Sequence, residues 1–170
     1  MLSLEKKQSI LRKLAKKFNE EDLLWALGAS TMLYLRGRIP TFEDLDLFVS
    51  EEDVQKAQRI LSSHGRLLPK EKSPLYASRH FSSYLIDGLQ VDLISGFTLL
   101  YQGKEYVFPL LEEQITAFYM LEDTQIPLMD LEDWKHYYTL MGRSQRAALC
   151  EEEKQEEVHP WQSKEDNKNQ

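Results

Sequence analysis

Residues 25–50 read WALGASTMLYLRGRIPTFEDLDLFVS, from Trp25 to Ser50, and this stretch carries the strongest signals in the chain. A short apolar run, Leu23 to Leu27, meets a Gly28-Ala29-Ser30 turn. An apolar helical segment, Thr31 to Leu35, follows and is stopped by Gly37 and Pro40. A second apolar run, Leu45 to Val49, begins inside Asp44-Leu45-Asp46. Side chains two apart on a strand share a face, so Asp44 and Asp46 should project together. Aspartate is unfavourable in strands, and two on one face repel unless a cation sits between them. A Gly-x-Ser turn between strand and helix offers backbone N–H groups to phosphate. A phosphate cradle beside a carboxylate pair points to metal-dependent nucleotide chemistry.

Outward from this stretch, Leu4, Leu11, Leu14, Ala15 and Phe18 fall at helical spacing behind Ser3, a helix N-cap. Ser50-Glu-Glu-Asp53 reads as a capping box, opening a helix that buries Val54, Ala57, Ile60 and Leu61 and stops at Gly65. Lys70, Lys72 and Pro74 mark a polar loop. Asp87-Gly88 then separates two apolar runs and predicts a two-residue hairpin. In that register Ile86 faces Leu89 and Asp92 faces Ser83, with Arg79, Phe81, Leu85 and Ile94 on the same side. A further turn at Gly103 leads to Tyr106-Val-Phe108. The spacing of Leu111, Ile115, Phe118 and Tyr119 predicts a helix, and that of Leu131, Trp134, Tyr137, Tyr138 and Met141 another, ending at Gly142. Arg143 to Cys150 extends it or forms a short further helix.

Composition bounds the rest. The 170 residues suit one domain with a small appendage, and 42% are hydrophobic. No apolar run is long enough to span a bilayer, and the N-terminus lacks a secretory pattern, so no membrane association is expected. The single cysteine, Cys150, excludes an internal disulfide and a cysteine-based zinc site, which makes the cytoplasm the expected compartment. The net charge of −7 disfavours long nucleic acid as a partner. It is uneven, however. Residues 1–17 hold six basic side chains against Glu5, and residues 151–170 hold seven acids against three lysines. His64, His80, His136 and His159 share no metal-ligand spacing, and the Trp134/Tyr137/Tyr138/Met141 stripe reads as core before it reads as pocket.

Gly28-Ala29-Ser30, the Asp44-Leu45-Asp46 run thirteen residues beyond it, and a lone later acid, Asp92, together resemble the signature of the polymerase-β-like nucleotidyltransferase superfamily. The resemblance spans about residues 22–96. In size the chain is similar to small adenylyltransferases that modify lincosamides or aminoglycosides, and to nucleotidyltransferases of toxin–antitoxin and phage-abortion systems. It implies an α+β nucleotidyltransferase fold, with a mixed, mostly antiparallel sheet flanked by helices and a C-terminal helical appendage. The implied layout is a nucleotidyltransferase domain over 1–108, a helical part over 109–150 and an acidic tail over 151–170.

The resemblance further implies that Asp44, Asp46 and Asp92 hold two Mg²⁺ ions, with Asp92 as ligand or general base. Gly28, Ala29 and Ser30 would bind a nucleoside triphosphate, ATP, whose monophosphate passes to a hydroxyl of a small-molecule or protein acceptor. Arg79 is a phosphate contact on the hairpin register alone, with Lys70 and Lys72 behind it. Ala29 departs from the family's usual Gly or Ser and places a methyl group beside the phosphates. The alternative is a catalytically weak module of the same fold working through a protein partner. A homodimer is a further expectation from small relatives.

Overall fold

A computed structural model describes residues 2–70 and 77–151. Lys72, Pro74, His159 and the acidic tail beyond Glu151 lie outside the described residues. The N-terminal helix α1 (Leu4–Glu20) starts where expected: the Ser3 hydroxyl accepts the Lys6 N–H at 3.1 Å. It buries Ile10, Leu11, Leu14, Ala15 and Phe18. Its cations are largely used inside the fold. Arg12 pairs with Glu122 at 3.0 Å and Asp123 at 2.7 Å, and Lys13 with Asp87 at 3.3 Å. Among the described residues no helix is long and apolar enough to cross a membrane.

The chain continues through β1 (Trp25–Leu27), α2 (Ala29–Leu35), β2 (Leu45–Val49), a 3₁₀ turn (Glu51–Asp53) and α3 (Val54–His64). The capping box at Ser50 does not form. The Ser50 hydroxyl instead donates to the Asp53 carboxylate at 3.0 Å, and that carboxylate also accepts the Leu24 N–H at 2.9 Å. Asp53 thus ties the start of β1 to the start of α3, and the first turn tightens to 3₁₀. Three strands follow, β3 (Arg66–Leu67), β4 (His80–Ile86) and β5 (Leu89–Ser95), and then a hairpin of β6 (Phe97–Tyr101) and β7 (Lys104–Phe108).

The β4–β5 hairpin has the expected register, with Ile86 opposite Leu89 and Ser83 opposite Asp92. Asp87 and Gly88 both have positive φ, at 49° and 87°, as a type I′ turn requires.

The helix expected from Leu111 to Tyr119 is a strand instead. Here β8 (Ile115–Leu121) pairs antiparallel with β9 (Thr124–Met129). The i, i+4, i+7 spacing was coincidental. Phe118, counted as core, stands 41% exposed on the outer face, and the inward residues alternate as Ile115, Ala117 and Tyr119. A register shift in the pairing with β9 lies between Ile115 and Ala117. The 109–150 segment is therefore not wholly helical. Two helices, α4 (Leu131–Leu140) and α5 (Ser144–Leu149), close the described chain.

The strands form a seven-stranded sheet in the order β3-β4-β5-β2-β1-β9-β8, and β6–β7 stand apart as a two-stranded sheet. Only the β2–β5 and β1–β9 pairs are parallel. As central strands demand, β2 and β5 bury a row of apolar side chains: Leu45, Leu47, Val91 and Leu93 are each at most 1% exposed. An aromatic cluster joins β2, β6 and α4. Phe48 meets Phe97 and Trp134 edge-on at 5.3 and 5.5 Å, and Phe97 stacks on Trp134 at 5.7 Å.

Gly28 ends β1 inside this packing. Its φ of −126° suits any residue, but a Cβ there would lie 2.6 Å from Trp134, 2.7 Å from Phe48 and 2.9 Å from Met129. The glycine is demanded by volume. Gly28→Ala should therefore overpack the cluster and lower unfolding free energy by about 1–3 kcal/mol in urea titrations, and an unchanged midpoint would contradict this packing.

Candidate active site

Two acids of the central strands meet by register. Asp46 on β2 is the direct partner of Asp92 on the parallel neighbour β5. Adjacent strands lie about 4.8 Å apart, so these two carboxylates share one face at close range. The two sides of Asp92 are held differently. Its Oδ1 accepts from the Ser83 hydroxyl at 2.6 Å and from the Gln90 side-chain amide at 3.0 Å. Ser83 is the cross-strand partner of Asp92, and Gln90 lies two residues back on the same strand, so the sheet's own register builds this orientation. Oδ2 is left without a hydrogen bond among the described residues.

Asp44 sits just before β2 and is half-buried. Its carbonyl accepts the Thr31 hydroxyl at 2.9 Å, while the Asp46 carbonyl accepts the Gly28 N–H at 3.3 Å. The 28–31 turn is thereby fastened to the acid-bearing strand at two points.

The electrostatics are those of an under-neutralised site. Burial holds the Asp46 carboxyl well above the usual carboxylate range, and Asp92 and then Asp44 push it further, with Arg143 pulling the other way. Asp44 is raised first by burial, then by Asp92 and Glu43, and is eased by Lys7. None of the three carboxylates forms an ion pair within 4.0 Å among the described residues. Lys7 acts on Asp44 from a buried position, donating to the Phe42 carbonyl at 2.5 Å with its ammonium 5.5 Å from the Phe42 ring centre.

A cavity of about 200 Å³ opens over this face, lined by Ala29, Ser30, Asp46 and Asp92, by Phe48, Phe97, Trp134 and Tyr138, and by Arg143 and Arg146. Of the residues expected to act, Ala29, Ser30, Asp46 and Asp92 are brought together there. Gly28 supports the turn from below, and Asp44 flanks the cavity without lining it. Arg79 is placed elsewhere: its guanidinium pairs with Glu51 at 3.2 Å and it lines a separate groove beside Lys70 and His80. Arg143 and Arg146 were not singled out by the sequence reading. Their i, i+3 spacing after Gly142 was the available signal, but nothing in the strand motif points to it. Trp134 and Tyr138 are core and cavity wall at once.

Ala29 adopts φ +52°, the left-handed region that favours glycine. A left-handed residue followed by the right-handed turn of α2 aims successive N–H groups into one concavity, a geometry that receives anions. The strain is part of the turn's shape.

Could these residues hold divalent cations? Among the described residues no three His, Cys, Asp or Glu side chains are grouped so that they could hold a metal ion between them. Mg²⁺ is usually held by one or two carboxylates, with phosphate oxygens and water completing its shell, rather than by an all-protein cage. An open pair of repelling carboxylates beside an anion-receiving turn fits that pattern.

No family profile and no curated protein sequence matches the chain. Solved structures do. The Thermotoga maritima protein TM1012, itself only provisionally assigned as a nucleotidyltransferase, superposes with a TM-score of 0.70 at 23% identity, over 86% of this chain and 91% of that one. The antibiotic-resistance factor ANT(2″)-Ia, solved with adenylyl-2″-tobramycin, gives 0.59 at 12% identity, over 85% and 87%. The lincosamide antibiotic adenylyltransferase LnuA, solved with lincomycin bound, gives 0.57 at 12%, over 85% and 94%. The chain has the nucleotidyltransferase fold.

Two outcomes follow for the site itself. Because the Asp46 carboxyl is raised in the folded state, its ionised form opposes folding. The wild type should lose stability as pH rises from the unfolded value near 3.8 through the folded one. Asp46→Asn should be more stable than wild type at neutral pH without metal, with the difference shrinking as pH falls through the raised folded value and gone below about pH 4, as read by thermal unfolding across pH. Ala29→Gly should relieve the left-handed strain and raise unfolding free energy by up to about 1 kcal/mol in urea titrations.

Proposed function

We propose that the protein is a Mg²⁺-dependent nucleotidyltransferase, moving AMP from ATP to a hydroxyl of a small-molecule or protein acceptor. The observation that carries this reading is the parallel register of Asp46 with Asp92, facing a turn that is hydrogen-bonded to the same strand. An unrelated α/β domain with chance acids has no reason to pair them and to line one cavity with both and with Ser30. The adenylyltransferases named above share this fold at 12% identity, and two of them were solved with antibiotic or adenylylated antibiotic bound.

In this reading Asp44 and Asp46 would hold the two Mg²⁺ ions, and Asp92 would complete a metal site or serve as the general base. Bound there, the ions would offset the charge that an in-line displacement builds on the entering and leaving oxygens. The chain's own residues do the rest. The N–H groups of Ala29 and Ser30 and the Ser30 hydroxyl hold the phosphates, while the Gly28 N–H stays on the Asp46 carbonyl. Gln90 and Ser83 fix Asp92 so that the unbonded Oδ2 can take the acceptor's proton. The acceptor oxygen bonds to the α-phosphorus, the bond to the pyrophosphate oxygen breaks, and pyrophosphate leaves.

The test is calorimetry with Mg²⁺ and ATP, followed by mass spectrometry of products with aminoglycosides, lincosamides and cell lysate as acceptor sources. Asp46→Ala or Asp44→Ala should abolish Mg²⁺-dependent ATP binding while the fold persists. Unchanged binding in the Asp46 variant would sink the reading. The second reading, a weak module acting through a protein partner, is favoured by Asp44 standing outside the cavity lining. It predicts no heat with Mg²⁺ and ATP in the wild type and a copurifying protein.

A further inference from the structure

The charged lining of the cavity is divided between two walls. Asp46 and Asp92 stand on the strands, whereas Arg143 and Arg146 come from the cap and first turn of α5. Neither arginine has an ion pair within 4.0 Å among the described residues. Arg143 is solvent-accessible and lies over the Tyr138 ring at 5.4 Å, which steadies the guanidinium without neutralising it. Arg146 is half-buried, and its Nη1 is closed off from solvent with no hydrogen-bond partner among the described residues. A buried donor on a cation is costly to leave without an acceptor. The remaining lining is aromatic and aliphatic, with Phe48, Phe81, Ile94, Phe97 and Trp134.

We propose that Arg143 and Arg146 form an oxyanion-binding wall opposite the carboxylates, which takes a multiply charged phosphate group. The guanidinium fork matches phosphate oxygens two at a time, and residues three apart on a helix lie on one side of it. The cavity then has two poles, a cation-seeking strand face and an anion-seeking helix face, about an aromatic floor. The phosphate has two sources, the polyphosphate tail of the nucleotide or a phosphorylated acceptor. This deepens the reading above and rests on it for the use of the cavity, but the charge of the wall does not depend on metal.

The probe is inorganic tripolyphosphate, followed by calorimetry at low ionic strength in EDTA, so that failure of the metal reading cannot mask the result. Wild type and Asp46→Asn should both bind it, the variant at least as tightly because a like charge is gone. Arg146→Gln should weaken binding about tenfold or more, Arg146→Lys by less, and Arg143→Gln by several-fold. Arg143 is accessible, so its variant carries the test should Arg146→Gln not fold. Displacement of tripolyphosphate by Mg²⁺ and ATP assigns the wall to the nucleotide's tail. Simultaneous binding assigns it to a phosphorylated acceptor. No binding in wild type, or equal affinity in folded Arg143→Gln and Arg146→Gln, overturns the proposal.

Discussion

Two like charges are held side by side by a parallel strand pair, and the rest of the molecule is arranged to keep them there. Nothing about Asp46 and Asp92 favours their proximity; Asp92 raises the cost of ionising both Asp46 and Asp44. What imposes it is the β2–β5 register, four successive pairs from Leu45–Val91 to Phe48–Ile94, with buried apolar residues beside each acid. A slip of one residue would turn those acids into the core and the leucines out of it. Apolar burial on either side therefore fixes the register far more strongly than the carboxylates can oppose it.

The turn before α2 solves a related problem with different means. Its first residue is set by volume, since the aromatic cluster leaves no space for a Cβ at Gly28. Its second is set by backbone shape, and Ala29 tolerates that shape at a cost. Hydrogen bonds from Gly28 and Thr31 to the backbone of the acid-bearing strand lock both to it. The turn thus keeps its left-handed second residue, an alanine, tied to the acid-bearing strand on both sides.

Much of this was legible in the sequence. Asp87-Gly88 defined a hairpin whose pairing could be counted to Asp92 because a two-residue turn leaves no freedom of register. The acid pair and Gly-x-Ser stood out because both break the apolar pattern around them. The strands β8 and β9 were hidden for a physical reason: an edge strand with one face outward carries Phe118 where water reaches it, so an apolar residue falls off the two-residue period. The place of Arg79 was equally hidden, because pairing register fixes a Cα and not a long side chain, which Glu51 draws aside. Arg143 and Arg146 enter the cavity only through the tertiary placement of α5, information that local sequence does not contain.

The order of the sheet carries one more implication, for the way this chain comes into being. The strand β1 lies between β2 and β9, so one of its edges is completed only by residues from the far end of the described chain. Until Leu128 has been synthesised, a buried apolar strand presents unpaired backbone N–H and C=O groups, the kind of edge that templates association with other chains. The clasp of Arg12 on the Glu122–Asp123 turn joins the same distant segments from outside. A chain that stops short of Leu128 therefore keeps an adhesive strand edge, and the sheet is sealed only when β9 arrives.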